Sequence, residues 1–311
     1  MNISQTSLVN NLDALGEQNS SEFSFFTYTA NQLLLLSDEE DIRAYYKEII
    51  AYSILQSQMD LTNNLNYLFT DRLRRMLYDK PIIVSFHFGL YRLLPLSILN
   101  NGFKLCIMVS KDILKSQISY YSSVLSQNLF DNLAFIDAEN SSLFFQMRKY
   151  LKKGYLLLIY ADGGSGVQNI SISKSHSTSV IEFQKGQLRT RTGFIDLAFI
   201  LQKPICLIFS PAYTEDTNYS FDYHDLYYQD DSSVNRLCFR KKVINSLYAH
   251  LESILIKDPF AFEGWLSLHS SIIPQHTDQY LLNPKSRFRS YNNEQGQFIF
   301  DKFAYRVYMV K

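Results

Sequence analysis

The chain has 311 residues, 46% of them apolar and 15% aromatic, and its 30 basic side chains balance its 30 acidic ones. This length is sufficient for one large domain or two smaller ones with buried cores. Zero net charge excludes nonspecific electrostatic binding of nucleic acid, which needs an excess of basic residues. A charged fraction of 19% with many large apolar residues excludes extensive disorder. We therefore expect a folded protein that does not bind nucleic acid.

Neither a targeting signal nor a metal motif is evident. The first 25 residues contain no Lys or Arg, which a secretory signal requires, and no apolar run approaches the roughly 18 residues that span a bilayer. Cys106, Cys206 and Cys238 match no zinc spacing, so no metal is predicted, and the first two lie in apolar runs where burial is expected. We expect a cytoplasmic protein, with peripheral contact to the inner membrane as an alternative.

The first 80 residues predict an N-terminal helical extension. Ser37-Asp38-Glu39-Glu40 has the pattern of a capping box, and apolar residues follow it at helical spacing as far as Ile54. A second helix is predicted near 61–77, because this stretch ends in basic residues that suit a helix C-terminus.

From Pro81 onward, short apolar runs alternate with amphipathic segments. The runs predict strands at 82–86, 103–109, 133–136, 155–160 and 204–209. The segments predict helices at 90–99, 111–129, 142–152, 190–201 and 233–256. This alternation predicts an α/β fold with a mostly parallel central sheet and flanking helices over 81–275. Residues 276–311 form a polar C-terminal segment, in which 298–308 alternates like an edge strand.

Functional residues of such folds usually lie beyond the carboxyl ends of the strands. His87 follows the first core strand, next to Gly89, where its near-neutral pKa suits a general base. The alternative is a His that caps the next helix or fills the core. Asp162 follows the 155–160 run in a loop with three glycines, where it would orient a base or hold a substrate. The alternative is a plain flexible loop.

A third loop, 182–193, is basic. Lys185, Arg189 and Arg191 lie within seven residues around Gly186 and lead into an apolar helix. Cationic side chains and free amides at a helix N-terminus form a phosphate or carboxylate site. The alternative is a solvated basic turn, which is the usual setting of a charge cluster.

Taken in order, these loops resemble those of the lysophospholipid acyltransferase-like superfamily, and most closely its lipid A late acyltransferase branch, the lauroyl and myristoyl transferases. The matching pieces are the His87 loop, Tyr160-Ala161-Asp162, the run from Phe183 through Thr190, Thr192 and Gly193 to Lys203-Pro204, and Asp258-Pro259-Phe260 with Trp265. The resemblance covers 81–270. It implies an acyltransferase-like αβα core that moves an acyl group from an acyl-carrier-protein or coenzyme A thioester to a hydroxyl or amine. It implies no bound cofactor, and an acyl carrier protein or another carrier domain as partner.

Two departures from the family pattern stand out. Family members place an acid four intervening residues after the His, but Arg92 occupies that position and cannot accept a hydrogen bond. Members of the branch also carry an N-terminal membrane anchor, whereas 1–80 resembles a soluble helical pair. The second departure favours a soluble or carrier-tethered biosynthetic substrate over lipid A.

Three interpretations of Arg92 remain open. In the first, Asp162 or Glu182 replaces the missing acid. In the second, Arg92 binds a phosphate or carboxylate while His87 acts unaided on an amine. In the third, the chain binds a carrier or acyl chain without turnover.

We expect an acyltransferase with His87, Asp162 and Glu182 as catalytic candidates. Substrate-binding candidates are Arg92, Lys185, Gly186, Arg189 and Arg191. A thioester or ester hydrolase is a third possibility, but no GxSxG elbow is present.

Overall fold

A computed structural model describes residues 20–58, 66–163, 178–213, 218–226, 235–275 and 287–310. They belong to two compact units. The first comprises Met1–Gln58, Val180–Arg189 and Glu263–Lys311, and the second Met59–Ser179 and Thr190–Phe262. The sequence-based division into 1–80, 81–275 and 276–311 follows chain order, whereas each unit is assembled from segments that are distant in sequence.

The described helices are α1 (Ser21–Thr29), α2 (Glu39–Gln58), α3 (Asp71–Asp79), α4 (Leu93–Asn100), α5 (Lys111–Val124), α6 (Gln127–Phe130), α7 (Leu143–Lys152), α8 (Gly193–Leu201) and α9 (Arg236–Leu255). The described strands are β1 (Asn66–Leu68), β2 (Ile82–Ser85), β3 (Lys104–Val109), β4 (Leu133–Asp137), β5 (Tyr155–Tyr160), β6 (Thr178–Phe183), β7 (Gly186–Arg191), β8 (Ile205–Phe209), β9 (Asn218–Ser220), β10 (Asp222–Leu226), β11 (Ile272–Ile273), β12 (Phe288–Asn293), β13 (Gly296–Asp301) and β14 (Arg306–Met309). A π-helical turn, Ala30–Leu34, follows α1, and three short 3-10 turns follow α9.

The second unit is built on a six-stranded sheet in the order β10-β8-β2-β5-β3-β4. Only β10 runs antiparallel to its neighbour. Every residue of β2 and β8 is buried, as expected for strands covered on both faces. The predicted α/β fold with a mostly parallel central sheet is confirmed. Cys106 and Cys206 lie within this sheet, and burial raises the pKa of each thiol to about 12.

The structure corrects several predicted helix boundaries, and three of them have an identifiable cause. The helix predicted near 61–77 is present only from Asp71 onward: 61–65 lie outside the described residues, and 66–68 pairs with β9 as strand β1. The Thr70 hydroxyl accepts a hydrogen bond from the Leu73 amide at the start of α3. The predicted 111–129 helix is interrupted at Leu125, which adopts an extended conformation. At α2 the cap is Asp38 rather than Ser37: its carboxylate accepts from the amides of Glu40 and Asp41.

The segment 182–193, expected to be a loop, contains a β-hairpin instead. Strands β6 and β7 pair within a three-stranded sheet of order β11-β7-β6, and the turn between them includes Gln184 at φ 56°. Alternating burial along β7 marks it as a half-buried strand. Gly186 is required for packing, because a Cβ there would lie 2.7 Å from the Gln32 carbonyl oxygen.

The C-terminal region folds as an antiparallel meander in which β13 lies between β12 and β14. The stretch 298–308, expected to form one edge strand, is divided by a turn in which Tyr305 has φ 50°, so that its first half is the central strand. Arg287 donates to both carboxylate oxygens of Asp301 and ties the start of β12 to the end of β13.

Aromatic residues form much of the core of the first unit. Phe23 of α1 and Tyr46 of α2 approach to 5.0 Å between ring centroids, and Phe183 of β6 lies 5.9 Å from Trp265. The aromatic-rich composition is therefore used at least partly for ordinary core packing.

The loop after β2 depends on Gly89. This residue has φ +58°, and a Cβ there would lie within 2.7 Å of backbone atoms of Ser210 and Pro211. We expect Gly89→Ala to lower the free energy of unfolding by about 2 kcal/mol more than Gly102→Ala, because backbone atoms cannot move aside as side chains do. Gly102 is the matched control: its φ is +82°, but nothing lies within 4 Å of a Cβ placed there. Urea denaturation of both variants measures the difference, and equal losses would contradict it.

Lys302 supplies a pH prediction for the first unit. Burial lowers the pKa of Lys302 from 10.5 to about 8; the Arg289 charge lowers it further, and the Glu39 charge opposes both effects. The Lys302 Nζ donates a hydrogen bond to Asn31 Oδ1 at 3.1 Å. The unfolded chain then binds more protons than the folded one between pH 8 and 10.5, so the stability contribution of Lys302 increases as the pH rises through this window.

We therefore expect the stability of the wild type, relative to a Lys302→Met variant, to rise by about 2 kcal/mol between pH 7 and 9.5. Thiols and tyrosines titrate in both proteins and cancel in the difference. Urea denaturation at several pH values measures this slope, and a difference that does not change with pH would show that Lys302 has an ordinary pKa.

Candidate functional site

Strand pairing brings His87 and Asp162 together. β2 and β5 are adjacent and parallel, with Ser85 opposite Tyr160, and the Ala161 amide continues the ladder by donating to the Ser85 carbonyl at 2.9 Å. His87 and Asp162 each lie two residues beyond this aligned pair. The register therefore places both at the carboxyl edge of the sheet, where α/β proteins carry their sites.

The two residues share three hydrogen-bond contacts. His87 Nδ1 lies 3.0 Å from Asp162 Oδ1, and the backbone amide of His87 donates to both carboxylate oxygens, at 3.0 and 3.2 Å. The Asp162 side chain is fully buried, whereas the His87 side chain is 28% exposed. A buried carboxylate thus fixes the position of an accessible imidazole, which is the arrangement of a general base and its orienting acid.

Aromatic rings pack against the His87 imidazole. Tyr160 stacks on it at 4.5 Å between centroids with an interplanar angle of 23°, and Tyr91 meets it edge-on at 4.7 Å. The Tyr160 hydroxyl donates to the Tyr91 carbonyl at 3.1 Å. Burial, reinforced by neighbouring Tyr121, raises the pKa of Tyr160 well above its usual range, so this phenol stays neutral. The imidazole is held by packing as well as by Asp162.

Arg92 occupies the N-cap position of α4 without a capping side-chain hydrogen bond, and it contacts two tyrosines. Its Nε donates to the Tyr91 hydroxyl at 3.3 Å, and its guanidinium lies 5.6 Å from the ring centroids of Tyr91 and Tyr120. The position that holds an acid in the resembled family is thus occupied by a cation supported by aromatic rings.

A cavity of about 300 Å³ opens beside this pair. His87, Tyr91, Arg92 and Tyr160 line one side of it. The rest of the lining comes from the ends of β3 and β5, from α5 and from the start of α8. Its apolar lining includes Ile107, Val109, Ile113, Ile159 and Phe194. The volume is at the lower end of the range of about 300–1,000 Å³ that is usual for small-molecule sites.

The other residues predicted for the site lie in different surroundings. Glu182 accepts from the Gln187 side-chain amide at 2.5 Å across the β6–β7 hairpin. The Lys185 amide donates to the Leu33 carbonyl, and the exposed Arg189 donates through its amide to Ser271. These residues and Gly186 belong to the first unit. Of the basic cluster, Arg191 is the member that lines the cavity.

Sequence reasoning missed the contribution of α5. This helix follows β3 and so begins at the same edge of the sheet, and Ile113, Gln117 and Tyr120 line the cavity. Their spacing of four and three residues, which places them on one helix face, is the signal that the sequence offers. The same spacing is typical of ordinary core-facing helices, so it does not distinguish a cavity from a core.

The class defined by the fold and the site is an α/β protein with a His–Asp pair beside a largely apolar cavity. No model of a known protein family matches the chain, and no curated protein sequence matches it. In the part of the chain that the structure describes, no helix combines the length and apolar character needed to cross a bilayer.

Asp162 is expected to stabilise the fold as well as the imidazole. Asp162→Ala leaves the partly buried His87 amide without its carboxylate acceptor, and we expect a loss of about 1–3 kcal/mol in the free energy of unfolding. Asp137 is a matched control: it ends β4 and its carboxylate accepts from the Glu139 amide at 2.8 Å, but in an exposed setting. Urea denaturation of Asp137→Ala should show less than half this loss; comparable losses would mean that burial of Asp162 adds nothing.

Proposed function

We propose that this protein is an acyltransferase that moves an acyl group from an acyl-carrier-protein or coenzyme A thioester to a hydroxyl or amine. The observation that carries the proposal is the contact between His87 Nδ1 and the buried Asp162 carboxylate beside the 300 Å³ cavity. A His–Asp pair suits several reactions that begin with removal of a proton. The family resemblance selects acyl transfer among them.

In the proposed reaction His87 acts through Nε2, because Nδ1 faces Asp162. Nε2 accepts the proton of the acceptor's hydroxyl or amine while the acceptor oxygen or nitrogen attacks the thioester carbonyl carbon. The carbon–sulfur bond then breaks, and the leaving thiolate takes the proton from the imidazolium. Asp162 stabilises the imidazolium formed between these steps and orients the ring. Bonds and protons balance without any cofactor.

The position of Asp162 supports the first of the three interpretations of Arg92. The resembled family supplies its acid four intervening residues after the His, whereas here the carboxylate comes from the loop after the neighbouring strand. The parallel register of β2 and β5 makes this exchange feasible, since it aligns the two loops. An orienting acid is therefore present although position 92 is basic.

The lining of the cavity supports an acyl substrate. Aliphatic side chains from β3, β5 and α5 provide apolar surface next to His87. Transfer of an acyl chain from water to such a surface is favourable by about 25 cal/mol per Å² of apolar area buried. The thioester carbonyl of an acyl chain bound in this cavity would lie near the His87 imidazole, which lines it.

The test is thioester turnover by the full-length chain. Lauroyl-CoA and a lauroyl acyl carrier protein are incubated with glycine, ethanolamine and phosphoethanolamine as acceptors, and released thiol and acylated product are measured with a thiol reagent and by mass spectrometry. We expect His87→Ala to lower turnover by about 10²- to 10⁴-fold, the usual contribution of a general base. Asp162→Asn, which keeps the side-chain shape, should cost about 10²-fold or more.

His224 provides the matched control, because its Nε2 lies 3.2 Å from Asp222 in a second, solvent-exposed His–Asp pair. His224→Ala should retain wild-type turnover. Full turnover in a folded His87→Ala variant would contradict the base role. Binding of acyl carrier protein with no thiol release under any condition would support the alternative, a homologue that binds a carrier or acyl chain without catalysis.

A further inference from the structure

The cavity carries two guanidinium groups. Arg92 and Arg191 both line it, and no Asp or Glu of the described residues does. The carboxylate that contacts the cavity-lining His87 belongs to Asp162, whose side chain is fully buried. Because guanidinium groups stay charged at all ordinary pH values, the described residues that line the cavity include two fixed positive charges and no carboxylate. The charged side chains of the lining are therefore cationic.

The geometry around Arg92 orients its guanidinium. The tyrosine rings of Tyr91 and Tyr120 support it at 5.6 Å each, and Nε–H is directed to the Tyr91 hydroxyl. The charge of Arg92 also acts on its surroundings, since it opposes the rise in pKa that burial causes at Tyr120. A planar guanidinium that is positioned in this way matches the paired oxygens of a carboxylate or phosphate.

The exchange of acid for base at position 92 has a chemical consequence for the acceptor. A carboxylate at this position, on the cavity wall, would repel an anionic acceptor. Here the orienting acid is Asp162, shielded from solvent, and a cation lines the cavity in its place. The site therefore combines a base, an apolar surface and a charge that attracts anions.

We propose that the acceptor carries a carboxylate or phosphate close to its nucleophilic hydroxyl or amine, and that Arg92 binds this anionic group with Arg191 as a second cationic contact. An α-amino acid or an aminoalkyl phosphate has this chemistry. The inference rests on the proposed acyl transfer, because it assigns the chemical class of the acceptor in that reaction.

The test measures binding of product analogues that share one acyl chain. Isothermal titration calorimetry of the full chain compares N-lauroylglycine, the phosphate ester of N-lauroylethanolamine, and neutral N-lauroylethanolamine, each below its critical micelle concentration. We expect at least one anionic analogue to bind tenfold or more tightly than the neutral one. Arg92→Gln should weaken its binding by about 10- to 100-fold, as expected for loss of a charge-assisted hydrogen bond. Which anion binds more tightly distinguishes a carboxylate from a phosphate acceptor.

Two comparisons guard against a loss of structure. Binding of the neutral analogue should change less than twofold in Arg92→Gln, and Arg92→Lys should restore part of the anion affinity. Arg72→Gln is the matched control, because the Arg72 guanidinium also lies over a tyrosine ring, 5.7 Å from the Tyr223 centroid, but Arg72 does not line the cavity. This variant should bind all three analogues like the wild type.

The outcomes separate this inference from the proposed function. Equal affinity for neutral and anionic analogues, unaffected by Arg92→Gln, would overturn the anion site. Acylation of ethanolamine, glycine and phosphoethanolamine at equal rates would likewise overturn it while leaving acyl transfer intact. Binding of anionic analogues that depends on Arg92, with no turnover of any acceptor, would support the anion site and refute the transferase.

Discussion

The Asp162 carboxylate and the His87 backbone amide form the interaction on which the rest of the site depends. It joins the loops after two adjacent parallel strands, and it gives a hydrogen-bond partner to a buried carboxylate and to a partly buried amide at the same time. The same carboxylate contacts the imidazole. Backbone position and side-chain orientation are therefore set by one group, and neither is adjustable without the other.

The loop that carries His87 is restrained on its other side by backbone contacts. The Gly89 amide donates to the Ala261 carbonyl at 2.8 Å, and the Leu90 amide donates to the Pro211 carbonyl at 2.8 Å. Phe88 forms an isolated bridge with Phe262. Such contacts leave no space for a side chain at Gly89. They hold the general base proposed here on a rigid support, which is what positioning of a reactive group requires.

The sequence was sufficient where burial alone determines structure. The apolar runs predicted the core strands to within two residues, and position at strand ends identified His87 and Asp162 as candidates. It failed where polar residues form strands. β6 and β7 contain Glu182, Arg189 and Arg191, and this density of charge resembled a loop. The sequence does not distinguish a contact between His87 and Asp162 from the alternatives, because the contact depends on the order of β2 and β5 in the sheet, and strand order is not encoded locally.

The aromatic rings around His87 have a thermodynamic consequence. A histidine on an open loop exchanges among rotamers, and a substrate that needs one of them has to supply the free energy of ordering the ring. Here the stacked Tyr160 ring, the nearly perpendicular Tyr91 ring and the Asp162 carboxylate restrict the imidazole before any ligand binds. Folding, and not ligand binding, bears the entropic cost of ordering this imidazole.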